Sequence, residues 1–310
     1  MISPATLGCS DDRGNASGTG GMGGGEITTG GNGGAAGNAG SAGTAGNAGT
    51  SGTAGAAGSA GTAGNTGGTG GSAEASWPNS DNTGPSGTLT PSGSLTINTD
   101  GTTIDALDIS GCITVNADNV TISNTRVRGG CFHVITNNGN NLVLQDVEVD
   151  GLNEADDCLA FDNYSAYRVD LHNCADGAKI GNNTHIEDSY IHDLSMIDGC
   201  HCDGVQTTGG TNTALIHNAI IVDRDATSAV QMGDEFGSLG TLTFDNNYLD
   251  GGGYTFYGGW NQDTETHPSN LTVTNNAFGT DFNWGTHVYV HSSAIWSGNY
   301  DLASGDEIVR

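Results

Sequence analysis

Three aspartates each open a short strand-like phrase: Asp157 in DCLAFD (157–162), Asp176 in DGAKIG (176–181) and Asp203 in DGVQTT (203–208). The phrase continues as SAVQMG (228–233), YTFYGG (254–259) and THVYVH (286–291). Alternation with period 2 puts Leu159, Ala178, Val205, Val230, Phe256 and Val288 inside, if these are strands. The outer column beside them is Ala160, Lys179, Gln206, Gln231, Tyr257 and Tyr289. Carboxylates on neighbouring strands, about 4.8 Å apart, repel unless they are hydrogen-bonded or share a cation. Asp157, Asp176 and Asp203 are therefore either bend caps bonded to backbone amides or ligands of a hard cation such as Ca²⁺. Lys179 is the only lysine of the chain and leaves the same strand start, one repeat from Gln206. It is either a charge paired with aspartate or a working group. Tyr254, Tyr257, Trp260, Trp284 and Tyr289 gather towards the C-terminus. Aromatic faces there either stack on sugar rings or cap the open end of a sheet.

The elements that must position these residues are visible as a repeated phrase. It reads NVTISNTRVRG (119–129), NLVLQDVEVDG (141–151), NTHIEDSYIHD (183–193), NTALIHNAIIV (212–222), TLTFDNNYLDG (241–251) and NLTVTNNAFGT (270–280). Weaker copies stand at 102–111 and 166–176. Each copy is an alternating strand, an Asn/Asp-rich bend and a second strand. Inner anchors fall at Ile104, Ile122, Leu144, Val169, Ile186, Leu215, Phe244 and Val273, in steps of 18, 22, 25, 17, 29, 29 and 29 residues. Strand-only repeats of this period predict an all-β solenoid, a right-handed parallel β-helix of about nine coils over 77–310.

The first quarter of the chain reads differently. From Gly31 to Gly70 every third residue is Gly, filled with Ala, Ser, Thr and Asn. There is no Pro between Ala5 and Trp77, so this is not collagen, which needs Pro-rich filling. That run is uncharged, and residues 10–76 read as a disordered Gly/Ala/Ser/Thr/Asn tether. The formal net charge is −28. That excludes nucleic acid as a partner, where cations must meet phosphate, and it is compatible with a calcium protein. No run of about 18 apolar residues appears that could cross a membrane. Cys112 lies eight residues after its anchor and Cys131 nine after the next, so these two are stacked neighbours and a geometric case for a disulfide. Cys158 and Cys174 are the next pair. Cys200 and Cys202 remain. A bridge across one residue is strained, so either one of them pairs with Cys174, or Cys200, His201 and Cys202 contribute to a zinc site.

Two resemblances add to this reading. Leu7-Gly8-Cys9 resembles the end of a bacterial lipoprotein signal, which implies lipidation of Cys9, residues 1–9 as a signal remnant, and a secreted or outer-surface location. The region from Trp77 to Asp301 resembles the pectate-lyase-like superfamily. The phrases HCDGVQTTGGTN (201–212), ATSAVQMG (226–233) and LDGGGYTFYGG (249–259) are similar to bacterial right-handed β-helix proteins. The resemblance implies an acidic polysaccharide as partner, a monomer, and Ca²⁺-dependent β-elimination of a polyuronate. In that scheme Asp157, Asp176 and Asp203 hold the metal and Lys179 removes the C5 proton. Arg224 stabilises the charged intermediate, and Gln206, Gln231, Tyr257, Tyr289 and Trp260 line the substrate. A polygalacturonase-like pattern matches only at Asp156-Asp157-Cys158, Cys174 and Ile180-Gly181. That match supports a Cys158–Cys174 bridge, but Asp176 stands where that family has His. A hydrolase or epimerase is the lesser alternative. The other main alternative is a carbohydrate-binding or surface-display β-helix without catalysis.

Overall fold

The computed structural model describes residues 77–196 and 200–310; Cys9, the signal remnant and the 10–76 tether lie outside the described residues. The described chain is all-β. It forms 22 strands in one hydrogen-bonded sheet, with no helix among the described residues.

The named strands pair in parallel and sort into three ladders. The first carries the Asp phrases. It runs through His133–Asn137, the end of Leu142–Phe161, the end of Asp170–Lys179, Asp203–Thr207, Ser228–Met232, Tyr254–Tyr257 and Gly285–Val288. The second carries the anchors, with Ile104 beside Ile122, Ile122 beside Leu144, and Leu144 beside Ala166. It continues through Ile186, Leu215, Phe244 and Val273 to Trp296. The third joins the second strands of the copies, from Arg126 beside Glu148 to Phe278 beside Asp301.

Two sequence alignments need correction. Val169 is not the anchor of its copy; Ala166 is, three residues earlier. Tyr164–Tyr167 puts a small Ala at the inner position, and the larger Val169 lies in the bend just before the next strand, Asp170–Lys179. In the last repeat, Tyr257 lies beside Val288 and Phe256 beside His287, one residue off the expected register. Val288 is only half-buried, and Tyr289 leaves the strand with φ +54°.

The bends explain why Asn and Asp recur. Asn119, Asn141, Asn163, Asn183 and Asn212 all have positive φ, and so do Asp146, Asp188, Asn246 and Asn275 at the next corner. Asn and Asp enter the left-handed region at lower cost than other side chains. Their amides also stack: Asn183 donates to Asn163 at 2.8 Å and Asn212 to Asn183 at 2.9 Å. A second Asn row is buried. The side chains of Asn218, Asn247 and Asn276 each donate both to a backbone carbonyl and to the next Asn along, at 2.9–3.0 Å. The first-ladder core follows the expected alternation: Ile135, Leu159, Ala178, Val205, Val230 and Phe256 are wholly buried.

Candidate functional site

The first ladder brings four groups into one column. His133 lies beside Asp157, Asp157 beside Asp176, and Asp203 beside Ser228. The backbone N–H of Asp203 donates to Asp176 Oδ1 at 2.8 Å, which joins the two halves. Glycine makes this column possible where Asp is followed by Gly. A Cβ on Gly177 would meet the Gly204 carbonyl and Ile191 at 2.4 Å, and one on Gly204 would meet Ile220 at 2.3 Å. The strand thus sits tight against the third ladder, and the preceding Asp is held against the inside of the site.

Lys179 sits among the carboxylates. Its Nζ donates to Asp176 Oδ2 at 2.6 Å and lies 3.3 Å from Asp157 Oδ1. It also bonds Gln206 Oε1. The backbone behind it is braced by Tyr164, whose buried hydroxyl donates to the Lys179 carbonyl at 2.7 Å. Asp203 Oδ1 accepts the Ser228 hydroxyl at 2.7 Å, and Gln206 Nε2 reaches Asp203 Oδ2 only at 3.4 Å. Asp157 and Asp203 are fully buried and Asp176 nearly so. Burial pushes the Asp176 carboxyl up to about 7, against the lowering pull of the Lys179 charge. Burial, and then the charge of Asp176, pushes Asp203 well above the usual carboxylate range.

This arrangement does not fit calcium. Lys179 itself stands as the cation between Asp157 and Asp176. The other Asp176 oxygen is taken by a backbone N–H, and one Asp203 oxygen by Ser228. Among the described residues no group of three or more His, Cys, Asp or Glu side chains is arranged to hold a metal ion. The geometry also reverses the expected role of Lys179. Adjacent carboxylates favour a charged ammonium, the opposite of what a base requires.

His133 was not legible as a site residue. Its Nδ1 lies 2.5 Å from Asp157 Oδ2, with the rings of Phe132 and Phe161 at 4.7 and 4.8 Å. These are ion-pair distances, yet His133 Nδ1 and both Asp157 oxygens are buried without a formed hydrogen bond. The distance places the groups in contact. The available signal was the spacing: His133 precedes Asp157 by 24 residues, and Ile135 precedes Leu159 by the same step.

The remaining expected residues divide. Tyr257 stands at Tyr254, with ring centroids 5.8 Å apart, and at Tyr289, 6.3 Å away. Trp284 lies 5.7 Å from Tyr254 and is 68% exposed. Burial, and then the Asp203 charge, pushes the Tyr257 phenol up to about 12; Tyr254–Tyr257 is the second strand after Asp203–Thr207 along the first ladder. Gln231 Oε1 and Trp260 Nε1 are buried without a hydrogen-bond partner. Trp260 stands edge-on to His291, 5.3 Å away, and His267 stacks on His291 at 3.7 Å. A cleft of about 260 Å³ opens beside His267, lined also by Asp234, Leu239, Glu265 and Thr266; it contains none of the acid column. Arg224 pairs with Asp281 at 2.8 Å on an exposed loop, so it is not brought to Lys179. Cys112 is bridged to Cys131 and Cys158 to Cys174. Cys200 is bridged to Cys202, so neither is joined to Cys174, and their sulfurs are not free for zinc.

No family model, no curated protein and no solved structure matches this chain.

Proposed function

We propose that residues 77–310 form a right-handed parallel β-helix of about nine coils that binds polysaccharide lengthwise along its first ladder. Three parallel ladders, each rejoined once per repeat, support the solenoid; the general handedness of parallel crossovers supports right-handedness. The observation that carries the binding reading is the Tyr254–Tyr257–Trp284–Tyr289 cluster beside the acid column. Sugar rings present flat apolar faces that stack on such a surface. The disulfides fit an oxidising, extracellular setting, as do the resemblances to a lipoprotein signal and to surface β-helices.

The test is affinity electrophoresis of the full chain through gels holding neutral and acidic polysaccharides. Retardation by at least one of them is expected. Tyr257→Ala and Trp284→Ala should each weaken it about tenfold, since a lost stacking contact together with its buried area is worth about 1.4 kcal/mol or more. Retardation by none, or equal retardation of wild type and both variants, overturns the reading.

A further inference from the structure

We propose that the Cys200–Cys202 bridge is a thiol–disulfide exchange site, opened by attack of a neutral or cationic thiol on Cys200 Sγ while the Cys112–Cys131 and Cys158–Cys174 bridges stay closed. This stands independently of the polysaccharide reading above.

The three bridges are held in different ways. Cys158 and Cys174 lie in strands that pair around them, with Ala155 beside Cys174 and Asp157 beside Asp176. Cys112 and Cys131 are framed by two paired positions, Ser110 beside Arg128 and Ile113 beside Ile135. In both cases the ladder keeps the two sulfurs together when the bond is open. The effective concentration of one thiol at the other stays high, and the bond reforms. Cys200 and Cys202 are two residues apart in one segment, just before the strand Asp203–Thr207. Their Cα atoms are 5.3 Å apart, where an extended chain of two residues spans about 6.6–7.2 Å. The bond therefore holds the chain bent at His201, and opening it lets the bend relax. A bond that holds a bend is easier to reduce than one that joins positions already paired. Exposure alone does not separate the bridges, since Cys131 is exposed; the framing strands do.

Burial decides which sulfur is attacked. Cys202 is 1% exposed, whereas Cys200 is only partly buried against the core. An incoming thiolate forms a bond to Cys200 Sγ. The Cys200–Cys202 bond breaks, and its electron pair leaves on Cys202 Sγ, which takes a proton from water. The Ser195 carbonyl lies 3.3 Å from Cys202 Sγ and can accept that S–H, so the buried thiol has a partner once the bridge is open. A second thiolate then attacks the partner sulfur of the mixed disulfide, and Cys200 leaves as a thiolate that water protonates. The exchange moves two electrons: two partner thiols become one disulfide, and the bridge becomes two thiols. Charge selects the partner. A chain with a net charge of −28 repels an anionic thiol and draws a cationic one.

The experiment equilibrates the full chain, without denaturant, in buffers of graded reduced-to-oxidised dithiothreitol ratio. Acid quenching, maleimide labelling and tryptic mapping then locate the open thiols. Cys200 and Cys202 share the peptide 180–224, and Cys9 falls in 1–13, so this bridge is read apart from the other cysteines. Half-labelling of Cys200 and Cys202 is expected at a ratio at least about tenfold lower than for either other bridge. Half-labelling at the same ratio, or a higher one, overturns the proposal. This series uses the wild-type chain alone and does not depend on a variant folding. Kinetics test the partner class. At equal thiolate concentration and low salt, cysteamine should open the bridge at least about tenfold faster than glutathione. The gap should narrow at 1 M salt, where the Debye length is about 3 Å. Equal rates at low salt overturn the selection by charge. Trapping tests the attacked sulfur. In Cys202→Ser the Cys200 thiol should form a mixed disulfide with cystamine at least about tenfold faster than the buried Cys202 thiol does in Cys200→Ser. The reverse order overturns attack at Cys200.

Discussion

Asn218, Asn247, Asn276 and Asn299 form one buried polar row; His133, Asp157, Asp176 and Asp203 form another, with Lys179 set into it. In the first, each amide is used: nitrogen donates to a carbonyl or to the next side chain, and oxygen accepts the backbone N–H before it. The row is neutral, regular and closed. In the second, charges are buried, one lysine serves two carboxylates, and Asp157 is left without a formed hydrogen bond. Both rows come from the same device, one polar residue repeated at one place in successive strands. A fully bonded neutral ladder stabilises a stack of parallel strands and asks for nothing more. A charged ladder short of bonds costs stability.

The largest effect expected from this contrast is loss of the lysine. Lys179→Ala leaves Asp157 and Asp176 buried without their cation, and breaking a buried pair from one side costs about 3–5 kcal/mol. Urea unfolding followed by circular dichroism measures it. A cost below about 1 kcal/mol would show that Lys179 is not the partner these carboxylates depend on.

The neutral row should fail by a smaller margin and for a different reason. Asn247→Ala removes the acceptor of the Asn218 backbone N–H and of its side-chain amide, at 2.9 and 3.0 Å. A buried donor left unsatisfied costs about 1–3 kcal/mol. The same unfolding measurement applies, and polysaccharide binding should not change. If Asn247→Ala abolished binding while leaving stability intact, the reading of the Asn row as purely structural would be wrong.

How much of this was legible follows from what sequence patterns encode. The anchors Ile104, Ile122, Leu144, Ile186, Leu215, Phe244 and Val273 were legible, because each is large, apolar and at a fixed distance from an Asn/Asp bend. Ala166 was missed because the inner position there is filled by a small residue, and size was the signal. The pairing of Lys179 with Gln206, and of Gln206 with Gln231, was legible from alternation alone. The direction in which three carboxylates turn was not. Alternation fixes the side of a strand, not whether an oxygen points to a backbone N–H, a hydroxyl or an ammonium. Tyr289 slipped because its φ of +54° ends the strand one residue before the pattern does. His133 was missed because its phrase opens on His where the three phrases that follow it along the ladder open on Asp.

A pH series sharpens the contrast further. The Asn row does not titrate. Asp176 does, and burial raises its folded value from 3.8 to about 7. Below about 3.8 it is protonated in both states and its contribution is fully present. As pH rises towards about 7, the unfolded chain releases the proton first, so folding stability falls across that window and levels off above it. The slope from one such group is at most about 1.4 kcal/mol per pH unit. Asp176→Asn should therefore gain stability relative to wild type as pH rises through the window. A constant difference between the two would mean that the carboxyl is ionised throughout.

Asp203→Asn should have the smallest effect, and that near-silence is itself informative. Asp203 is fully buried and held well above the usual carboxylate range by burial and by Asp176. Both effects favour its neutral form, for which Asn is close in shape and equal in charge. Asn keeps an oxygen to accept the Ser228 hydroxyl, the bond Asp203 Oδ1 makes at 2.7 Å. The contact it disturbs is the one from Gln206 Nε2, already long at 3.4 Å. Unfolding at pH 6 should differ from wild type by no more than about 0.5 kcal/mol, the range of substitutions that leave packing and partners intact. A loss of about 2 kcal/mol or more would mean that Asp203 is ionised and leans on Lys179 for its stability. The column would then carry three charges against one, and its contrast with the neutral Asn row would be larger still.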